Sequence, residues 1–210
     1  MNPAPSTAAP PLVRRLGLVD YEPTWRRMQA FTTERTPSTP DEIWLVQHPP
    51  VYTLGIAGRD EHRPRIDSGI PVVRIDRGGQ ITYHGPGQLV AYLLLDMKRR
   101  GLTVRPLVRA MERAVIDLLA DYGIAARGDP DAPGVYVGAA KIAALGLRIR
   151  QGCCYHGLAL NIDMDLSPFH AIDPCGYQGL EVTQLRNFGV TDAVDAVADR
   201  LLPHLLQVLA

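Results

Sequence analysis

The segment from Arg77 to Leu95 constrains this chain more than any other. Its first twelve residues, Arg-Gly-Gly-Gln-Ile-Thr-Tyr-His-Gly-Pro-Gly-Gln, hold four glycines and one proline. Such a segment cannot pack throughout as ordinary strand or helix. The residues that follow, Leu89 to Leu95, form the longest clean apolar run, seven residues. That is far short of the roughly 20 a membrane-spanning helix needs. An apolar run of this length reads as a strand buried on both faces, hence central in a sheet.

The rest of the composition agrees with one compact unit. The chain has 210 residues, 46% apolar and 21% charged, which excludes wholesale disorder. Its 22 basic residues balance 22 acidic ones, so no basic surplus argues for nucleic acid or an anionic membrane. Nineteen glycines and eighteen prolines predict many tight turns and short elements. Residues 1–11 read as a flexible Pro- and Ala-rich tail, and 12–210 as a single catalytic domain without repeats or linkers. No secretory leader is visible. Three cysteines, Cys153, Cys154 and Cys175, cannot make an even disulfide framework, so a reducing cytoplasm is the expected home.

Periodicity places the elements. Asp20 caps a helix through Trp25, Met28 and Phe31, ended by Pro37 and Pro40. Glu42 to Gln47, Val51 to Leu54, Val72 to Ile75 and Ile81 to Tyr83 read as strands. From Thr103 to Tyr122, Val104, Leu107, Val108, Met111, Val115, Leu118, Leu119 and Tyr122 recur at three- and four-residue steps, one buried stripe of a helix. Arg105, Arg109, Glu112, Arg113 and Asp117 fall largely between them, and Gly123 supplies a left-handed stop. Val135 to Val137, Lys141 to Arg150 and Tyr155 to Ile162 are further strands. A last helix opens at Thr191, carries Val194, Val197, Leu201, Leu205 and Val208 on one face, and is kinked at Pro203. The class is α+β, with helices packed on one side of the sheet.

Several places could carry chemistry. Around the bare backbone of 77–88, Arg77, Thr82, Tyr83 and His84 supply polar side chains; the plain alternative is a glycine-punctuated hairpin. The chain lacks G-x-x-x-x-G-K-[ST], and Gly85-Pro-Gly87 lacks a third glycine, so a phosphate cradle is not expected. Cys175 sits on a turn between Pro174 and Gly176, either a nucleophile or an inert buried thiol. Lys141, opening an apolar strand, is by position alone a solvent-facing gatekeeper; the alternative is a desolvated functional amine. Zinc is not expected, because Cys153 and Cys154 as strand neighbours face opposite ways and no C-x₂-C spacing occurs. Both read as small packing residues. His156, on the face of Cys154 and Leu158 by alternation, reads equally as a core histidine or a site residue.

Taken in order, five motifs resemble the lipoyl (octanoyl) transferase family: Arg77 to Gln88, Lys141-Ile-Ala-Ala-Leu-Gly-Leu-Arg148, His156-Gly-Leu-Ala-Leu-Asn161, Ile172-Asp-Pro-Cys-Gly176 and Thr183-Gln-Leu185. The segment Gln47 to Leu54 fits as well. The resemblance implies a mixed sheet flanked by helices, like the catalytic domain of biotin and lipoate protein ligases. It implies transfer of an octanoyl group from acyl carrier protein to a lysine of lipoate-dependent enzymes, with no cofactor. The acceptors would be lipoyl domains of 2-oxoacid dehydrogenases and the glycine cleavage carrier protein. Cys175 would carry the acyl group with Lys141 as its partner. Substrate contacts carry over onto Arg77, Gly78, Gly79, Gln80, Ile81, Thr82, Tyr83 and His84, onto Ala144, Leu145 and Gly146, and onto Gly157, Leu158 and Ala159. The proline-rich start and the paired cysteines depart from the pattern without touching the proposed dyad. An ATP-dependent lipoate or biotin ligase and a non-catalytic acyl- or lipoyl-binding module are the rival readings. Arg59, Arg63, Arg65, Lys98, Arg99 and Arg100 are candidate docking charges for acidic carrier domains.

Overall fold

The computed structural model describes residues 8–66, 68–173 and 180–210. Among these residues ten strands form two sheets, accompanied by three α-helices and short 3-10 turns. The strands of the larger sheet are β1 (Leu12–Leu18), β2 (Glu42–Gln47), β6 (Gln88–Asp96), β7 (Arg127–Gly128), β8 (Gly134–Val137), β9 (Ala140–Arg150) and β10 (Cys153–Asn161). They run in the order β1-β2-β6-β10-β9-β8-β7. Only β1 lies parallel to its neighbour; the other pairs are antiparallel. The apolar run therefore does sit inside the sheet, between β2 and β10, with every residue from Leu89 to Leu95 buried. The smaller sheet has the order β4-β3-β5, from β4 (Val72–Arg74), β3 (Val51–Leu54) and β5 (Ile81–His84).

Helices α1 (Tyr21–Thr33), α2 (Val104–Asp121) and α3 (Val194–Leu209) cover the larger sheet. They do not lie on one side of it. Leu107, Met111, Val115, Leu118 and Leu119 of α2, with Val197, Leu201 and Leu205 of α3, pack onto Ile43, Leu45, Leu89, Leu93 and Leu95. Met28 of α1 packs on the opposite face, against Trp44, Val46, Val90, Tyr92, Leu94, Tyr155 and Ala159. Alternation along β2 and β6 leaves apolar side chains on both faces, and each face needs its own cover.

Asp20 stands at the N-cap position of α1 as predicted, but its side chain makes no capping hydrogen bond; Gly123 with φ +72° follows α2. The stripe of α2 departs at both margins, since Val104 is 46% exposed while Glu112 is buried. Glu112 is held inward by the Gly134 N–H, which donates to its carboxylate at 3.0 Å. α3 begins three residues after Thr191 and buries Leu209 in place of Val208; Pro203 lies inside it on the exposed side. At the N-terminal side, Pro11 is buried and the Ala9 carbonyl accepts from Arg100 Nη2 at 2.8 Å, which ties that stretch to the body. Among the described residues no helix is long and apolar enough to cross a membrane.

Candidate active site

A cavity holding about 500 Å³ of empty space, its open mouth included, lies on the α1 side of the larger sheet. Its floor follows from register. Tyr92 pairs with Gly157, which pairs with Gly146; Val90 pairs with Ala159, which pairs with Ala144. Where most sheet faces carry bulky side chains, two neighbouring rows here end in glycine or alanine, and the face is hollow. The Arg77–Gly79 loop and β5 roof it. The Gly78 N–H donates to the Leu147 carbonyl at 2.9 Å, pinning the loop to β9. Close approach is the reason for glycine at 146, where an added Cβ would stand 3.0 Å from Arg77 Cδ.

Of the substrate contacts implied by resemblance, Arg77, Gly78, Gly79, Ile81, Thr82 and His84 line this cavity from the roof. Ala144, Leu145 and Gly146, with Gly157, Leu158 and Ala159, line it from the floor. Gln80 and Tyr83 are not among the lining residues. Tyr83 turns away into the small sheet's own core with Tyr52, Ile81 and Phe169, as period-2 alternation from Thr82 and His84 requires. The sequence reading missed Tyr21, Val90 and Tyr92 as lining residues. Tyr21 and Tyr92 are 63 and 8 residues from His84 and outside the glycine-rich motifs, so only the tertiary arrangement brings them in.

Arg77 is held in a fork. Its Nη2 donates to the Thr53 carbonyl at 2.7 Å and to Thr53 Oγ1 at 3.0 Å, and its Nη1 to the Gly78 carbonyl at 2.9 Å. Beside it stand neutral imidazoles. Burial pushes His84 down to about 3, with the nearby His48 and Arg77 charges adding to the effect. Burial likewise pushes His48 down to about 4. His48 Nδ1 donates to the Val19 carbonyl at 2.6 Å, and its Nε2 accepts from the Tyr92 hydroxyl at 2.7 Å. Tyr21 stacks on the His84 ring, and burial raises its phenol well above the ordinary range.

His156 is not on the face of Cys154 and Leu158. Its φ of +65° is in the left-handed region, which costs a non-glycine residue about 1–2 kcal/mol. The ring is thereby brought beside Tyr155 and Tyr92, where it lines the cavity. Its Nε2 donates to Asp76 Oδ1 at 3.1 Å. Asp76 also accepts from Trp25 Nε1 at 2.8 Å, from Gln29 Nε2 at 3.0 Å and from the Tyr155 hydroxyl. These donors hold its carboxyl far below the usual carboxylate range despite burial. Burial lowers His156 as well, with Asp76 opposing the shift.

Lys141 is 4% exposed, so the solvent-facing gatekeeper reading fails. Its Nζ donates to the Pro133 carbonyl at 3.3 Å and lies 5.1 Å from the centre of the Tyr136 ring. It is not among the cavity's lining residues. Its backbone bonds to a further segment: Lys141 N–H donates to the Glu181 carbonyl at 2.8 Å, and Thr183 N–H to the Lys141 carbonyl at 2.9 Å. Asp173 and Leu180 border one cleft, together with Phe169, Glu181 and Val182. Cys175 lies outside the described residues.

Cys153 and Cys154 are both buried and free. Burial pushes the Cys154 thiol up to about 12 and raises Cys153, which suits packing and not nucleophilic attack. Among the described residues no group of three His, Cys, Asp or Glu side chains is arranged to hold a metal ion. The docking set also needs correction. The Arg100 side chain is 1% exposed and paired with Asp41, and Arg99 pairs with the same carboxylate. Arg59, Arg63 and Arg65 are exposed, with Glu61, Asp60 and Asp173 as partners.

Residues 20–206 match the family model of the lipoyl protein ligase A/B catalytic domain. The chain belongs to that family. Within it, the chain is 65% identical over 208 residues to a protein named octanoyltransferase from Azoarcus sp. (strain BH72), covering 99% of this chain and 92% of that one. It thereby stands with an acyltransferase class of enzymes. The fold is similar to a bipartite lipoate protein ligase solved with its E2 lipoyl domain from Thermoplasma acidophilum. That match has a TM-score of 0.71 and 20% identity, covering 95% of this chain and 84% of that one. A biotin protein ligase from Aquifex aeolicus, in complex with biotin and ATP, matches with a TM-score of 0.62 and 16% identity, over 94% and 70% of the two chains.

Proposed function

We propose that this chain transfers an octanoyl group from octanoyl-acyl carrier protein to a specific lysine of lipoate-dependent enzymes. The acceptors are lipoyl domains of 2-oxoacid dehydrogenases and the glycine cleavage carrier protein. The observation that carries the reading is the cavity with a glycine- and alanine-floored face. An eight-carbon chain buried there at about 0.8 kcal/mol per methylene gains roughly 5 kcal/mol.

The reaction has two halves. Cys175 gives its proton to Lys141 and its sulfur attacks the carrier thioester. The carrier sulfur leaves and takes the proton from the Lys141 ammonium, leaving an octanoyl-Cys175 thioester and a neutral lysine. An acceptor amine, having shed one proton to water, then attacks that thioester. Lys141 takes the second proton as the amide forms and the Cys175 thiolate leaves. Thioester exchange is close to even in energy and amide formation is downhill, so no nucleotide is required. A cysteine near its reference pKa of about 8.5 is only about 3% thiolate at pH 7, so Lys141 as proton acceptor matters in the first half. In the second, deprotonating an amine of pKa near 10.4 costs roughly 4 to 5 kcal/mol at pH 7. That cost falls on the proton shed to water, and Lys141 as base takes up the other as the amide forms.

The burial of Lys141, and its pairing with the segment that begins six residues after Cys175, support this pairing of roles.

Intact-mass measurement after mixing with octanoyl-carrier protein, without nucleotide, tests the reading. One added octanoyl group, absent in Cys175→Ser, is expected. Lys141→Ala is expected to keep the fold and lose turnover by roughly 10²–10⁴-fold. A product that forms only with ATP would instead select the ligase reading.

A further inference from the structure

Gln88 and Asn161 take no part in the reaction as written above, yet both are buried, at 2% and 5% exposure. Their hydrogen bonds form one line. Asn161 Nδ2 donates to the Thr183 carbonyl at 2.9 Å. A carbonyl oxygen only accepts, so Asn161 must present its nitrogen there and its oxygen on the other side. That oxygen accepts from Gln88 Nε2 at 2.9 Å. The same Gln88 nitrogen lies 3.3 Å from the Tyr83 carbonyl, a second group that only accepts. Gln88 Oε1 is therefore the atom that faces His84 Nδ1 at 2.7 Å, and it accepts.

The hydrogen of His84 is thus assigned by groups remote from the imidazole. Nδ1 carries it. In the neutral ring Nε2 is bare, and it faces Thr53 Oγ1 at 3.4 Å, the hydroxyl to which Arg77 Nη2 donates at 3.0 Å. Reversing the line would set Asn161 Oδ1 against the Thr183 carbonyl and Gln88 Oε1 against the Tyr83 carbonyl. Two buried acceptor-to-acceptor contacts oppose that.

We propose that Gln88 and Asn161 are positioning residues that set the His84 tautomer, so that Nε2 meets the Thr53–Arg77 wall of the cavity as a hydrogen-bond acceptor. An Nε2–H form would use the second lone pair of Thr53 Oγ1 and take away the acceptor that the bare Nε2 offers to the Thr53 hydroxyl hydrogen. The line also reaches the other half of the site, because the Thr183 N–H donates to the Lys141 carbonyl. The kinetic part of this inference rests on the octanoyl-transfer reading; the tautomer does not.

The test is ¹⁵N NMR of the full, unliganded chain labelled at the histidine rings, with His84 assigned by the signals lost in His84→Gln. The wild type is expected to show the neutral Nδ1–H pattern for His84 at pH 7. Gln88→Met, which keeps length and removes the acceptor, is expected to give a mixture of tautomers and about a tenfold loss in kcat/KM for octanoyl transfer, with cooperative unfolding retained. Asn161→Leu, which frees the Gln88 amide to turn, is expected to give the same mixture. A wild-type His84 bearing its hydrogen on Nε2 overturns the proposal, whatever the variants do. A tautomer unchanged in folded Gln88→Met, or changed without any effect on transfer, overturns it too. Failure of the transfer reading would show separately, as no octanoyl adduct on the wild-type chain.

Discussion

Along β6, Leu89, Leu93 and Leu95 reach into an aliphatic layer under α2 and α3, while Val90, Tyr92 and Leu94 face α1. The first face is filled by leucine, valine, isoleucine and methionine from three layers of structure. The second is aromatic and polar, with Tyr21, His84, Tyr92 and His156 around the cavity and Tyr155 packed beside His156. Both faces come from the same strands. The difference teaches that a hollow in a sheet needs small residues in register on adjacent strands, and that each buried polar group around it needs a fixed partner. Asp76 with its four donors, and His48 between a carbonyl and a phenol, meet that requirement.

Four experiments would break or sharpen this contrast. Leu118→Ala on the filled face is expected to destabilise the fold by about 3 kcal/mol while leaving transfer per folded molecule unchanged. Urea unfolding and kcat/KM measured together check it. An equal loss of transfer would mean that the two faces are not separable.

Acidification should act on the polar face. Folded His48 and His84 stay neutral down to about 4 and about 3 because burial disfavours their charged forms. The unfolded chain takes up those protons from about pH 6.5 downward. Since the depressed group belongs to the folded state, stability is level above about pH 7 and falls below about 6.5. The slope is up to about 1.4 kcal/mol per pH unit for each histidine. Unfolding free energy between pH 7.5 and 5 measures it, and His84→Gln should remove part of the slope. An unaltered slope in that variant would show that other groups carry it.

Ala144→Leu adds three carbons to the cavity floor. It should displace about three methylenes of the acyl chain, roughly 2.4 kcal/mol or about 50-fold in kcat/KM for octanoyl carrier. Shorter acyl carriers should be affected less. Equal losses at every chain length would place the acyl group elsewhere. The smallest effect concerns His156, where His156→Gly should be about 1 kcal/mol more stable than His156→Ala, because only glycine accepts φ +65° freely. Equal stability of the two variants would remove the strain from that position.

How much of this was legible in the sequence depended on whether the signal was local. β6 and α2 announce themselves by an unbroken apolar run and by a 3.6-residue stripe. β1 does not, because Leu-Val-Arg-Arg-Leu-Gly-Leu is a largely exposed edge strand without alternation. The roof and floor of the cavity were indicated by the resemblance of three motifs, at 77–88, 141–148 and 156–161, since composition alone left a plain hairpin open at the first of them. The left-handed turn of the backbone at His156 was not, since alternation assigns a side chain to a face only while φ stays extended. Arg100 looked like surface charge beside Lys98 and Arg99. Its burial depends on Asp41, 59 residues earlier in the chain, which no local pattern reveals. Likewise Glu112 seemed one more polar residue of a helix, and its inward turn is explained by the Gly134 N–H, 22 residues later, that donates to its carboxylate.

Arg100 has one more effect. Its guanidinium joins the Ala9 carbonyl, the Leu209 carbonyl and the Asp41 carboxylate, so the early and late reaches of the polypeptide meet at a single buried cation. Topologically the chain is close to a ring with its seam at that residue. Trimming either side of the seam should loosen the other, whereas an opening cut at the exposed Gln151–Gly152 turn would leave the knot intact.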